Sequence, residues 1–116
     1  MATLNQWFGI GRLGKDPEIS TVKNKLLAKF SLAVDQKDNQ TMWLNIVCWQ
    51  KQAEFVQKYA RKGNLVYVQG KLQLRKYKDR NKADQLSVEI IAHDVQLLEK
   101  RQKEGEDLAD EVLPEA

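Results

Sequence analysis

Met42-Trp43-Leu44-Asn45-Ile46-Val47-Cys48-Trp49, followed at once by Gln50-Lys51-Gln52-Ala53-Glu54-Phe55-Val56-Gln57-Lys58-Tyr59-Ala60-Arg61-Lys62-Gly63, is the stretch on which the fold turns. Its first part alternates Met42, Leu44, Ile46 and Cys48 on one face with Trp43, Asn45, Val47 and Trp49 on the other. Period-two alternation predicts a strand. Both faces are largely apolar, which is unusual where an outer side meets water, so the tryptophan face is expected to receive a covering group. From Lys51 the period changes. Phe55, Val56, Tyr59 and Ala60 make i, i+3 and i+4 contacts along one side of a short helix over Lys51–Arg61. Gly63 then supplies a left-handed stop, with Arg61 and Lys62 where the helix dipole favours cations.

Working outward, Leu4–Leu13 reads as a first strand carrying Trp7, Phe8 and Ile10, with Trp7 directed to the core. Gly9 and Gly11 within it mark a bend or a close backbone approach. Lys15-Asp16-Pro17-Glu18 is a turn, because Pro17 fixes its own φ and biases Asp16 away from helix. Leu26–Val34 alternates Leu26, Ala28, Phe30, Leu32 and Val34 against Lys29 and Ser31, a second strand, and Gln36–Thr41 links it to the third. Beyond the helix a long fourth strand runs from Leu65 to about Tyr77, with Gly70 permitting strong coiling. Lys78–Gln85 is a polar hairpin tip, and Leu86–Leu98 is a fifth strand with an irregularity near His93-Asp94. The order β-β-β-α-β-β, all-β with one short helix, is that of the five-stranded OB-fold barrel, whose exposed face and loops bind oligonucleotides.

Charge divides the chain at the same place. Residues 1–98 hold 16 Lys and Arg against 9 Asp and Glu; residues 99–116 hold 3 against 7, and from Glu104 onward there are six acids and no base. A basic body with an acidic tail suggests a polyanion-binding domain over 1–98 and a solvated, flexible appendage over 99–116. No run approaches about 18 apolar residues, so no helical membrane span is expected. The N-terminus lacks the charged and apolar regions of a secretory signal, and a cytoplasmic location is the expectation. Catalysis is not expected. There is no Ser-His-Asp set, no HExxH, no paired-cysteine ligand set and no GxxxxGK[ST] loop. Cys48 is the single cysteine, read as a small buried hydrophobe, and the single histidine, His93, has no acidic or histidine cluster beside it. Asp35 and Asp38 are read as solvated turn carboxylates, and neither a metal nor another cofactor is expected.

Binding to unpaired nucleic acid requires planar rings on which bases stack and cations that follow the phosphates. Trp43 and Trp49 on one strand face and Tyr77 near the end of the fourth strand are the candidate platform. Arg75-Lys76-Tyr77-Lys78 interleaves rings and cations most densely; Lys71, Arg80 and Lys82 lie in the same hairpin, Arg12 and Lys15 end the first strand, and Lys62 follows the helix. Core packing for the tryptophans and an ordinary solvated hairpin for the cations are the plain alternatives. Two tryptophans sharing one strand face in a basic body weigh against them.

The residues also resemble the bacterial single-stranded DNA-binding proteins. The similarity is carried by Gly9-Ile10-Gly11-Arg12-Leu13-Gly14-Lys15-Asp16-Pro17-Glu18, by Ala28-Lys29-Phe30-Ser31-Leu32-Ala33-Val34, and by Val47-Cys48-Trp49-Gln50-Lys51-Gln52-Ala53-Glu54. It continues through Arg61-Lys62-Gly63-Asn64-Leu65-Val66-Tyr67-Val68-Gln69-Gly70 and Arg75-Lys76-Tyr77-Lys78-Asp79 to Glu89-Ile90-Ile91-Ala92-His93-Asp94-Val95. By that resemblance Trp43, Trp49 and Tyr77 stand at stacking positions and Lys62 and Lys76 beside the DNA path. It implies sequence-tolerant binding and protection of single strands in replication, recombination and repair, by a homotetramer (or a dimer) at the nucleoid. An OB-fold primosomal or other adaptor, acting mainly through protein contacts, is the alternative.

Three departures bear on this expectation. Asn45 stands where the family often has a cation, and Leu44 occupies a position tied to the subunit interface. The chain ends Leu113-Pro114-Glu115-Ala116 without the Pro-Phe tip that follows the family's usual linker. Weak recruitment of replication and repair proteins through the tail is therefore expected, and the tail's acids are expected to compete with DNA for the basic groove.

Overall fold

The period-two runs become strands whose pairing closes on itself. The structure, a computed structural model, describes residues 3–100. Its elements are β1 (Trp7–Leu13), β2 (Glu18–Val22), β3 (Lys25–Asp35), β4 (Thr41–Trp49), α1 (Lys51–Tyr59), β5 (Leu65–Lys78) and β6 (Asp84–Glu99), with a single 3-10 turn at Lys37–Asn39. β1 pairs with β5, β5 with β6, β6 with β4 and β4 with β3; β3 returns to β1 through Arg12–Ala33 and Leu13–Leu32. These five strands are the barrel the alternation predicts. The acidic tail expected beyond β6 lies, after Lys100, outside the described residues.

One strand was not foreseen. β2 hangs on the outer side of β3, from Glu18–Lys29 to Val22–Lys25, and forms a hairpin with it. Lys23 and Asn24 make its two-residue turn, both at positive φ (51° and 66°), the backbone twist that tight hairpins favour. Apart from Ile19, β2 is exposed along its length, so it has no buried face to impose an alternating pattern on its sequence.

Inside the ring, Phe30 and Leu32 of β3, Ile46 and Cys48 of β4, Val66 and Val68 of β5, and Ile90 and Val95 of β6 are buried together. Trp7 packs against them from β1, as expected. The helix closes the barrel by burying Ala53 and Val56. Nine residues are too few for a helix to persist on its own in water, so this burial holds it, with a fully buried valine contributing roughly 1.5–3 kcal/mol.

The helix ends earlier than its pattern predicts, and not at Gly63. Ala60 is already extended (φ −85°, ψ 131°). Gly63, at φ 87°, belongs instead to the turn that carries the chain into β5. There Asn64 N–H donates to the Arg61 carbonyl at 3.0 Å, and Gly63 N–H to the Leu13 carbonyl at 2.8 Å. The irregularity expected near His93 is a bulge. Gln69 pairs with Asp94 but Gly70 pairs with Ala92, so His93 has no partner across the ladder. Its carbonyl accepts from Gln52 Nε2 of the helix at 3.0 Å. Any Cβ on Gly70 would strike the Ile91 carbonyl, so the tight coiling of β5 at this point requires glycine. Past Gly70, β5 turns from alternately buried to exposed throughout, and the β5–β6 hairpin leaves the barrel as an arm.

Candidate nucleic-acid interface

With the even-numbered residues of β3 and β4 in the core, their odd-numbered residues face outward. Register places Trp43 opposite Ala33, Asn45 opposite Ser31, Val47 opposite Lys29 and Trp49 opposite Leu27. The same face continues through Glu89 of β6, in register with Asn45, onto the arm, where Arg75 opposes Ser87 and Tyr77 opposes Gln85. On this face lies a cleft of about 300 Å³, whose lining includes Lys15, Lys29, Ser31, Asn45, Val47, Arg75 and Glu89.

The rings are not sealed in the interior. Trp43 is 59% exposed and Tyr77 43%, while Trp49 is half-buried at the end of β4. Trp43 lies over Gly14, where any Cβ would strike its six-membered ring; Gly14 N–H donates to the Ser31 carbonyl at 3.0 Å and holds that platform to β3. Part of the six-membered ring thus packs against backbone, and more than half of the residue meets solvent. The Arg75 guanidinium carbon sits 5.6 Å from the Tyr77 ring centroid, and its Nε donates to Glu89 Oε2 at 3.0 Å.

Of the nine residues singled out from sequence, the fold gathers Trp43, Trp49, Tyr77, Arg75 and Lys15 on this face. The backbone N–H of Lys62 donates to Asp16 Oδ1 at 2.8 Å, beside the cleft that Asp16 helps to line. Lys76 and Lys78 have the opposite parity on β5 and point to the other side of the arm, where Lys78 pairs with Asp84 at 2.8 Å. Arg12 is engaged elsewhere: its Nη2 meets Glu99 at 2.6 Å and its Nη1 donates to the Gly63 carbonyl at 2.9 Å. Sequence reasoning omitted Lys29, although its alternation already placed it opposite the core side chains. It also omitted Glu89, whose sign within the apolar run Val88-Glu89-Ile90-Ile91 was the available clue.

Electrostatically the cleft is mixed. Lys15, Lys29 and Arg75 share its lining with Asp16, Glu18 and Glu89. Positive excess comes from the arm around it, where Lys71, Lys76, Lys78, Arg80 and Lys82 cluster. Such a surface attracts a polyanion at long range and orders its contacts at short range. Among the described residues, no group of three or more His, Cys, Asp or Glu is arranged to hold a metal ion, and no helix is long and apolar enough to cross a membrane.

The fold is thus a closed small β-barrel with exposed rings, a cation-bearing cleft and a basic arm on one outer side. The chain belongs to the single-strand binding protein family, whose family model matches residues 4–98. A single-stranded DNA-binding protein of Neisseria meningitidis is 34% identical over 105 residues, spanning 83% of this chain and 60% of that protein. One of Bacillus cereus is 37% identical over 110 residues, spanning 89% and 65%. The chain therefore matches less than two thirds of these relatives' length. A solved structure, Plasmodium falciparum SSB in complex with single-stranded DNA, superimposes with a TM-score of 0.76 at 34% identity, covering 85% of this chain and 98% of that one.

Proposed function

We propose that this protein binds and protects single-stranded DNA with little sequence preference, without catalysis, in replication, recombination and repair. The observation that carries the reading is the exposed Trp43 ring packed against Gly14, on the strand face that continues from Asn45 through Glu89 of β6 to the Arg75–Tyr77 pair on the arm. Unpaired bases stack on Trp43, Trp49 and Tyr77 while Lys15, Lys62 and Arg75 neutralise phosphates. A stack contributes about 1–3 kcal/mol per base irrespective of which base it is, and single-strand binders are the type case of this behaviour. That the Plasmodium neighbour was solved with single-stranded DNA supports the same reading.

The working unit is a homotetramer or a dimer, in the compartment that holds the DNA. Support comes from β1, which pairs with β3 only at Arg12 and Leu13, leaving its Trp7–Gly11 edge open beside outward-facing Phe8 (63% exposed) and Ile10 (52%). Open edges and apolar strips are surfaces that a second copy covers.

Titration of the full chain with dT oligonucleotides, followed by tryptophan fluorescence, tests the proposal. Quenching that saturates and weakens with salt, with a slope of about −0.7 per neutralised phosphate, is the expected result. Trp43→Ala should weaken binding roughly 5- to 150-fold with its melting curve preserved, the equivalent of one lost stack. Unchanged fluorescence at saturating oligonucleotide, together with a tight complex with another protein, would favour an adaptor instead.

A further inference from the structure

Among the described residues Glu89 is the only charged side chain that is buried, and it sits on the DNA-facing side of the sheet. Its neighbours across the ladders are Asn45 on β4 and Gln73 on β5, and its side chain is 8% exposed. An acid in a groove for a polyanion opposes binding by simple electrostatics. Its geometry argues the reverse. Oε2 accepts only the Nε–H of Arg75, at 3.0 Å, and among the described residues no hydrogen bond takes up the two terminal nitrogens of that guanidinium. The Arg75 side chain is itself half-exposed, and its guanidinium lies 5.6 Å from the Tyr77 ring. A long arginine on an exposed strand otherwise samples many rotamers, and ordering it opposes binding; anchoring it by one edge leaves the other edge preset for a phosphate.

We infer that Glu89 is a positioning residue for DNA binding: it holds Arg75 by its Nε edge, aiming the terminal nitrogens at the DNA backbone and steadying the Tyr77 ring beside it. The inference rests on the reading of this face as the single-strand interface. An acid then promotes the binding of a polyanion.

Two substitutions separate position from charge. Glu89→Leu and Glu89→Gln remove the same negative charge, but only glutamine keeps an acceptor for Arg75. Both variants and the parent chain are titrated with a dT oligonucleotide across a range of salt, after thermal melts verify the folded state. Glu89→Leu should bind about tenfold more weakly than the parent and lose about 0.7 from its salt slope, the share of one phosphate. Glu89→Gln should recover most of that affinity and the parent slope. In an Arg75→Met background the two substitutions should bind alike, which also covers the case in which Glu89→Leu alone fails to fold.

Equal affinities for the two variants in the Arg75 chain, or tighter binding by both, overturn the inference while leaving the interface in place. A parent chain that does not bind dT at all overturns the interface reading, and this inference with it.

Discussion

Trp43 and Cys48 sit five residues apart on one strand and have opposite fates, because strand parity sends one outward and the other into the core. Burial raises the Cys48 thiol from its ordinary 9.0 to about 12, since a thiolate there would lose its hydration. The folded protein therefore keeps the thiol protonated over a window in which the unfolded chain ionises it. Stability is unaffected by this group below about pH 9 and falls as pH rises from there toward 12. Urea melts between pH 8 and 11 should show a shallower decline for Cys48→Ala than for the parent, even though the variant starts lower for want of core volume. Parallel declines would place the thiol's contribution elsewhere. At neutral pH the buried thiol should also resist thiol reagents until the chain unfolds.

The β5–β6 hairpin shows how an element acquires a function its residues lack singly. Gly70 lets β5 pass close to the Ile91 carbonyl, and the bulge at His93 takes up the change of register, so the hairpin leaves the barrel as an arm. Gly70→Ala should destabilise the fold by about 1–3 kcal/mol or more, because the obstruction is backbone rather than a side chain that can swing away. A melting temperature within a degree of the parent would mean that the two strands separate at little cost. At the arm's tip Asp79 accepts the N–H groups of Asn81 and Ala83 and the amide of Gln85. These bonds, that from Ala83 foremost, hold its carboxyl below the ordinary 3.8, so its bracing of the turn is present above that pH and fades as acid protonates it.

For the whole molecule, the open β1 edge and its outward Phe8 and Ile10 predict self-association. Light scattering should give a mass about two to four times that of the 13.4 kDa chain, and Phe8→Asp combined with Ile10→Asp should lower it while leaving the monomer folded, since both residues are exposed. A mass of one chain for the parent would end the oligomeric reading. If the proposed DNA binding holds, assembly adds to it, because linked sites bind the second stretch of one strand at high effective concentration.

Alternation and charge segregation determined much of this protein directly. The five barrel strands, the helix between the third and fourth of them and the irregularity at His93 all follow from periodicity, which is local and written residue by residue; alternation separated the two faces of β4 but left open which of them lies outward. Tertiary structure decided which cations share that face. Arg75 and Lys76 are neighbours in the chain, yet a strand directs them to opposite sides of the arm; Arg12, promising in sequence, is drawn off by Glu99 from 87 positions away. β2 was hidden because its exposed residues carry no alternation, and the pairing of Glu89 with Arg75 because it depends on register. A side-chain bond across a ladder depends on register and coiling, and no local period records it.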